Sequence, residues 1–313
     1  MDRILITPRS LTSAPPPELE PLRQAGFDLV FSTPGRTPDE AELLHLLPDC
    51  VGWLAGVEPV SPSVITSARR LRVISRNGSG VDNLPLEECA RRGIIVARAQ
   101  GSNSVGVAEL TLALMLAACR HLPDTVAGVR DGSWSRTRGR EIAGATAGII
   151  GMGAIGRRVA GILAAMGAEV LAYDPAKPSL GPLAEVVRFA PLSEVIGTAE
   201  MLTLHCPMTG DGSPLLDAGR IATMRSGTVV VNTARAGLVD ETALLAALDE
   251  GRLLAYATDV FHEEPPRDRT LAAHPKVIAT SHIGGLTDGS VSRATGDAVA
   301  NLLRALVAHD AAG

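Results

Sequence analysis

Aromatic residues are scarce in this chain of 313 residues, with two Trp, two Tyr and four Phe. Any large core must therefore be assembled from Ala, Val, Leu and Ile. Cysteines number only four, Cys50, Cys89, Cys119 and Cys206, and no two form a CxxC pair. That spacing excludes a disulfide framework and a cysteine zinc site, and it fits a reducing compartment. Basic charge is not in excess either, since 29 Lys and Arg stand against 34 Asp and Glu for a formal net charge of -5. A nucleic acid would find no electrostatic footprint here. Long hydrophobic runs are also missing: the longest, Leu110 to Cys119, lies between Glu109 and Arg120 and falls far short of the ~20 residues of a membrane span. It reads as a buried helix, and no membrane partner is expected. The opening MDRILITP carries no basic segment, long apolar stretch or small-residue cleavage site, so a cytoplasmic protein beginning on a strand is expected.

What the chain does contain is enough apolar residue for two cores. Hydrophobic residues make up 46% and charged residues 20%, and at roughly 150 residues per domain the length suggests two domains. From residue 1 to about 98, the β-rich runs ILIT, DLVFS, GWLAG, RVIS and IIVA alternate with helix-compatible segments such as Pro38 to Leu47 and Leu86 to Arg92. A second series runs AGII, EVLAY, MLTLH, TVVVN, LAYATD and VIAT. Both rhythms predict parallel βαβ units and an α/β fold of two doubly wound sheets with a cleft between them. Ser104 to His121 reads as one long helix, apolar nearly all round and so buried on several sides. After Ile283-Gly-Gly a last amphipathic helix, about Gly289 to Ala308, is expected to dock on the first domain. The predicted limits are 1–98 plus 286–313 for a substrate domain and 99–285 for a dinucleotide domain.

Gly151-Met-Gly153-Ala154-Ile155-Gly156 follows the strand AGII directly and opens the segment RRVAGILAAMG. Strand, glycine turn and helix in that order form the context of a dinucleotide fingerprint. The first Gly permits the tight turn, the second lets the backbone approach a pyrophosphate, and the third allows close helix–strand packing. The next strand ends in Asp174, 18 residues after Gly156, where a carboxylate can bond both hydroxyls of an adenosine ribose and repel a 2′-phosphate. NAD is therefore expected over NADP, although Lys177 lies nearby.

Three more segments fall at predicted strand ends, where a doubly wound sheet places ligands: Asn232-Thr-Ala-Arg235, Asp259-Val-Phe-His-Glu-Glu264-Pro, and Ser281-His282-Ile-Gly-Gly. An Arg, a Glu and a His together suit a carbonyl substrate bearing a carboxylate. Arginine holds the carboxylate bidentately, histidine moves the proton, and glutamate orients the imidazole and favours its protonated form. Each also has a plainer reading: a helix-entry charge for Arg235, a turn carboxylate for Glu264, a loop histidine for His282.

In order along the chain, NGSGVDN (77 to 83), NSVGVAEL (103 to 110), GMGAIG (151 to 156), YDP (173 to 175), HCPMT (205 to 209), NTARAGLVDE (232 to 241), DVFHEEPP (259 to 266) and SHIGG (281 to 285) resemble the D-isomer-specific 2-hydroxyacid dehydrogenases. The resemblance covers essentially the whole chain. It implies a Rossmann NAD domain inserted in a flavodoxin-like substrate domain. The implied catalytic set is Arg235 on the substrate, Glu264 beside the histidine and His282 as acid/base. Glu264, rather than Glu263, is selected because the family's acid directly precedes a proline. Ser79 and Gly80 are implied as backbone donors to the substrate carboxylate, with Arg76 and Asn103 also on the substrate side. His205, Cys206, Pro207, Thr233 and Ala234 are implied to line the cofactor, and Asp259 to meet the nicotinamide carboxamide. No metal is implied. A homodimer is, through the segment Val105 to Ala118.

Within the family the chain most resembles the 3-phosphoglycerate dehydrogenases, with glyoxylate or hydroxypyruvate reduction as the alternative and an NAD(H)-sensing binding protein as a remote one. Several departures stand out. Ala55 and Gly56 occupy the place where phosphoglycerate enzymes usually carry an arginine, Ser281 replaces the usual Pro or Cys, and Val105-Gly106 is atypical. The sequence ends at Gly313, so the serine-sensing regulatory domain of longer relatives is expected to be absent. Arg76, or Arg136, Arg138 and Arg140 in SWSRTRGRE, offer substitute phosphate ligands; a solvated basic loop is the other reading of the last three.

Overall fold

The computed structural model describes every residue except Ser135 and Gly313, and of 309–312 the backbone alone. The chain divides into two compact units, Met1–Asn103 with Asp288–Gly313, and Ser104–Thr287. The divisions lie a few residues beyond 98/99 and 285/286, because the first coincides with the start of the helix Ser104–Cys119 and the second with that of Asp288–Ala312.

The first unit is a sheet of β1 (Arg3–Ile6), β2 (Asp28–Phe31), β3 (Cys50–Ala55), β4 (Val73–Arg76) and β5 (Ile95–Arg98), in the order β2-β1-β3-β4-β5. All its pairs are parallel. Alternate residues serve opposite faces: Leu5 packs with Trp53, Val64 and Ile74, whereas Ile4 and Ile6 pack with Leu302 and Leu306. A parallel sheet covered on both sides needs such continuous apolar strands. The final helix does return to this unit, where the Ser75 hydroxyl donates to the Ala298 carbonyl at 2.7 Å.

The second unit holds β6 (Thr146–Ile150), β7 (Glu169–Tyr173), β8 (Val187–Phe189), β9 (Met201–Leu204), β10 (Thr228–Asn232), β11 (Leu253–Thr258) and β12 (Val277–Ala279). Their order is β12-β11-β10-β9-β6-β7-β8, again all parallel. Read from β8, this is the dinucleotide-binding order with one strand added. Ile149, Val229 and Val231 face the helices Ser104–Cys119 and Ala154–Ala165, while Ile150 and Val230 face the opposite layer. The fold class expected from the strand rhythm is therefore the one observed.

Two elements differ from expectation. Strand β8 was not anticipated, because Val187-Arg-Phe is three residues long and carries a charge in the middle. The long helix stops at Cys119; His121 takes a left-handed conformation (φ 50°), and a separate helix, Leu122–Asp131, begins with Pro123 in its first turn. Proline tolerates a helix start but not its interior. Among the described residues no single helix is long and apolar enough to cross a membrane, and no group of His, Cys, Asp and Glu is placed to hold a metal.

Candidate active site

The glycine turn between β6 and the helix Ala154–Ala165 shows what each glycine is for. Gly151 has φ 96°, and a Cβ there would lie 2.4 Å from the His205 carbonyl oxygen. A Cβ on Gly156 would lie 2.0 Å from the Gly151 oxygen. These two are required by the protein's own packing. Gly153 is different, because a Cβ built on it meets nothing within 4 Å. It caps the helix without any side-chain bond to the first-turn amides, so the N–H groups around Ala154, Ile155 and Gly156 stand at an open helix terminus suited to an anion. Asp174, at the end of β7, accepts from Met152 N (2.8 Å) and Ala176 N (2.9 Å), which places its carboxylate beside the turn. An open approach at Gly153, uncapped amides and an adjacent carboxylate fit a dinucleotide.

His205, just past β9, lies against this turn. Its Nε2 is 3.1 Å from the Thr203 hydroxyl, and its buried Nδ1 has no hydrogen-bond partner. Burial pushes the imidazole down to about 3, so the ring is neutral at physiological pH. Burial likewise pushes the Cys206 thiol up to about 11, which keeps it protonated. Pro207 follows on the surface.

At the end of β10, buried Asn232 shapes the turn that carries Arg235. Its Oδ1 accepts from Ala234 N (3.0 Å), and its Nδ2 donates to the Arg235 carbonyl (2.9 Å) and the Tyr256 hydroxyl (3.2 Å). Burial raises that phenol to about 12, so it remains un-ionised. Thr233 is paired with Thr111 of the preceding long helix, oxygen to oxygen at 2.9 Å. Half-buried Arg235 donates through Nη1 to the Ala234 carbonyl at 2.8 Å.

Glu264 and His282 meet. His282 Nδ1 and Glu264 Oε2 are 2.7 Å apart, and Glu264 Oε1 accepts from Phe261 N at 3.1 Å. His282 has φ 55°, a conformation uncommon outside glycine. Asp259 holds it there. Asp259, expected at the nicotinamide carboxamide, has both oxygens engaged within its own unit: Oδ1 with the Thr280 hydroxyl (2.6 Å) and Ile283 N (2.8 Å), Oδ2 with Gly284 N (2.7 Å). It is 2% exposed. Tyr256 and Thr280 carry no signal in the sequence beyond a place in or just after an apolar strand, and Asn232, which opens one of the strand-end segments, carries none for its role as the clamp of the Arg235 turn.

In the first unit the loop after β4 brings Ser79 and Asn103 together, with the Ser79 hydroxyl 3.3 Å from both Asn103 Oδ1 and the Ala99 carbonyl. Gly80 follows in the same partly exposed loop. Arg76 does not reach outward. It is 8% exposed, its Nη1 donates to the Asn77 carbonyl at 2.8 Å, and a Cβ on Gly78 would touch the same nitrogen at 3.1 Å. In the second unit Arg140 Nη1 donates to the Glu200 carbonyl (3.0 Å), while Arg136 and Arg138 lie in exposed loop; Ser135 there is outside the described residues.

Residues 112–284 match the model of the D-isomer specific 2-hydroxyacid dehydrogenase, NAD binding domain. The chain is similar to the D-3-phosphoglycerate dehydrogenase of Rattus norvegicus, 39% identical over 255 residues, which is 80% of this chain and 48% of that protein. It thus spans about half the length of the curated relatives it matches. Among solved structures, the TT0316 protein of Thermus thermophilus is 34% identical with a TM-score of 0.87, over 98% of this chain and 97% of that one. The D-lactate dehydrogenase of Aquifex aeolicus, complexed with NAD and lactic acid, is 26% identical with a TM-score of 0.83, over 99% and 96%.

Proposed function

The chain belongs to the D-isomer specific 2-hydroxyacid dehydrogenase family, and on that footing we propose that it is an NAD-dependent oxidoreductase of D-2-hydroxy acids and their 2-oxo acids. The observation that carries the reading is the 2.7 Å contact of Glu264 with His282, held in the same unit as the glycine turn. Bound NAD supplies the hydride donor or acceptor at C2 of the substrate. Gly153, Ala154 and Ile155 take the pyrophosphate on their amides and Asp174 takes the ribose, while His205, Cys206, Pro207, Thr233 and Ala234 line the rest of the cofactor.

In the second unit Arg235 serves the substrate carboxylate as a two-pronged donor; in the first, the Ser79 and Gly80 amides and Asn103 are the groups assigned to substrate. Because Nδ1 of His282 is committed to Glu264, Nε2 is the nitrogen that serves the substrate. In the reducing direction it gives its proton to the oxygen forming on C2, and in the oxidising direction it takes that proton back. Glu264 keeps the ring oriented throughout and stabilises its charged form.

Sequence likeness puts 3-phosphoglycerate and 3-phosphohydroxypyruvate first among substrates. Ala55 and Gly56, lacking any charge for a phosphate, support hydroxypyruvate or glyoxylate as the second reading. The exposed apolar side chains of Leu122, Val126 and Val129, with Trp134 at 73% exposure, support a homodimer. Free cysteines, three of them buried, support a cytoplasmic setting.

The test is the initial rate of NADH oxidation with 3-phosphohydroxypyruvate, hydroxypyruvate and glyoxylate in parallel, repeated with NADPH. Turnover with NADH is expected, and its absence on all three would favour an NAD(H)-sensing protein. His282→Ala is expected to lower kcat by about 10²-fold or more with NADH binding nearly intact. A loss of NADH affinity as large as the loss of rate would contradict the assignment.

A further inference from the structure

The sheet of the first unit reverses its strand order between β1 and β3. Connections leave these two strands on opposite sides, which makes their carboxyl ends the usual ligand crevice of a doubly wound sheet; here that crevice is filled, with Thr7 0% and Glu58 1% exposed. Thr7 follows β1 and Gly56 follows β3. Between them lies the carboxylate of Glu58. Its Oε1 accepts from Gly56 N at 2.9 Å and from the Thr7 hydroxyl. Trp53 Nε1 (3.0 Å) and Gly56 N (3.2 Å) both donate to the Thr7 oxygen, leaving the hydroxyl proton free to point to Glu58. A Cβ on residue 56 would sit 2.6 Å from Glu58 Oε2, so glycine is needed for the carboxylate to lie there.

Buried carboxylates are normally paired with a cation. Among the described residues Glu58 meets only neutral donors. One of them, Gly56 N, is the backbone donor that an anion bound at this switch point would use; the protein's own carboxylate has taken it. The crevice is also tied to the loop that carries Ser79 and Gly80. Asn77 N donates to the Ala55 carbonyl (2.9 Å), Asn83 Nδ2 to the Glu58 carbonyl (2.7 Å), and Val60 N to the Asn83 carbonyl (3.0 Å).

We propose that Glu58 determines substrate specificity: it occupies the anion position of the substrate unit, so the chain takes 2-hydroxy and 2-oxo acids whose C3 substituent is neutral and turns away those bearing a phosphate. This rests on the dehydrogenase reading and, within it, favours the second substrate reading, hydroxypyruvate or glyoxylate, over the phosphorylated acids that sequence likeness puts first. Like charges held close in a poorly solvated crevice repel strongly, and a phosphate brought here would also find its backbone donor taken.

The test compares dissociation constants of D-glycerate and D-3-phosphoglycerate for the protein–NADH complex, in which neither acid can react, for wild type, Glu58→Gln and Glu58→Asp. Glutamine keeps an acceptor for Thr7 and Gly56 but removes the charge; aspartate keeps the charge. Wild type is expected to prefer glycerate by about tenfold or more. Glu58→Gln is expected to gain about tenfold for the phosphorylated acid with glycerate changed by less than about threefold, and Glu58→Asp to retain the preference. Tighter wild-type binding of the phosphorylated acid overturns the proposal, as does a Glu58→Gln variant that shifts both acids equally. If Glu58→Gln does not fold, the wild-type and Glu58→Asp preferences decide. Parallel rates with hydroxypyruvate separate the two readings. The binding shift without turnover on any 2-oxo acid sinks the dehydrogenase reading and keeps the role of Glu58, whereas turnover without the shift does the reverse.

Discussion

Two adjacent carboxylates point to different partners: Glu264 Oε2 lies 2.7 Å from His282 Nδ1, and Glu263 Oε1 lies 2.7 Å from Arg267 Nε. The second pair is an exposed contact within one loop, of a kind worth ~0–1 kcal/mol. Glu264→Gln is therefore expected to lower kcat by about 10-fold to 10³-fold, because an amide can orient the ring but carries no charge to stabilise its protonated form. Glu263→Gln should leave kcat within about twofold. Steady-state kinetics of the two variants side by side check this, and equal losses would refute the division of roles.

Asp259 is predicted to act on rate through the His282 loop. In Asp259→Asn one oxygen still serves Thr280 and Ile283 N, but the new amide faces the N–H of Gly284, donor against donor. Losing a charged hydrogen bond in a buried place costs about 1.5–3 kcal/mol, enough to free the loop from its left-handed setting. The expected result is a fall in kcat of about tenfold or more with the NADH dissociation constant changed by less than about threefold. If NADH affinity falls as much as kcat, Asp259 contacts the nicotinamide in the bound state instead.

The three fingerprint glycines should separate folding from binding. Gly156→Ala places a methyl 2.0 Å from the Gly151 oxygen and is expected to lower Tm by several degrees or prevent folding. Gly153→Ala meets only open space, so Tm of the cofactor-free protein should move by less than about 2 °C. Its NADH affinity should nonetheless drop by about tenfold or more, since the methyl stands where the pyrophosphate approaches. Melting curves with and without NADH decide the matter.

His205 sets part of the acid limit of stability. Its pKa is about 3 folded against 6.5 for an ordinary histidine, so between these values the unfolded chain holds a proton that the folded chain does not. The folded state consequently keeps its full stability above about pH 6.5 and loses it as pH falls toward about 3, with a slope of at most ~1.4 kcal/mol per pH unit from this group. In His205→Gln that contribution vanishes. Urea unfolding of both proteins at about pH 4.5, 5.5 and 7 is expected to show a shallower loss for the variant, and parallel curves would remove His205 as the cause.

Much was decided by local pattern alone. Parallel strands here are nearly continuous apolar runs, so eleven of the twelve strands among the described residues were legible, the three-residue edge strand Val277–Ala279 included; Val187-Arg-Phe was not, because a charged residue interrupts a run that short. The glycine turn, its strand and Asp174 could be placed for the same reason, since tight turns and helix starts depend on neighbours in the chain. Tertiary structure alone decided which polar groups meet. Thr7 and Glu58 are 51 residues apart, Asp259 and Gly284 are 25 apart, and the guanidinium of buried Arg76 lies against Asn77 and Gly78 of the loop that follows its strand. Whether a carboxylate is a surface charge, a clamp on a loop or a buried anion in a crevice depends on its distance to donors brought there by the sheet, and that distance is not written in the spacing of residues.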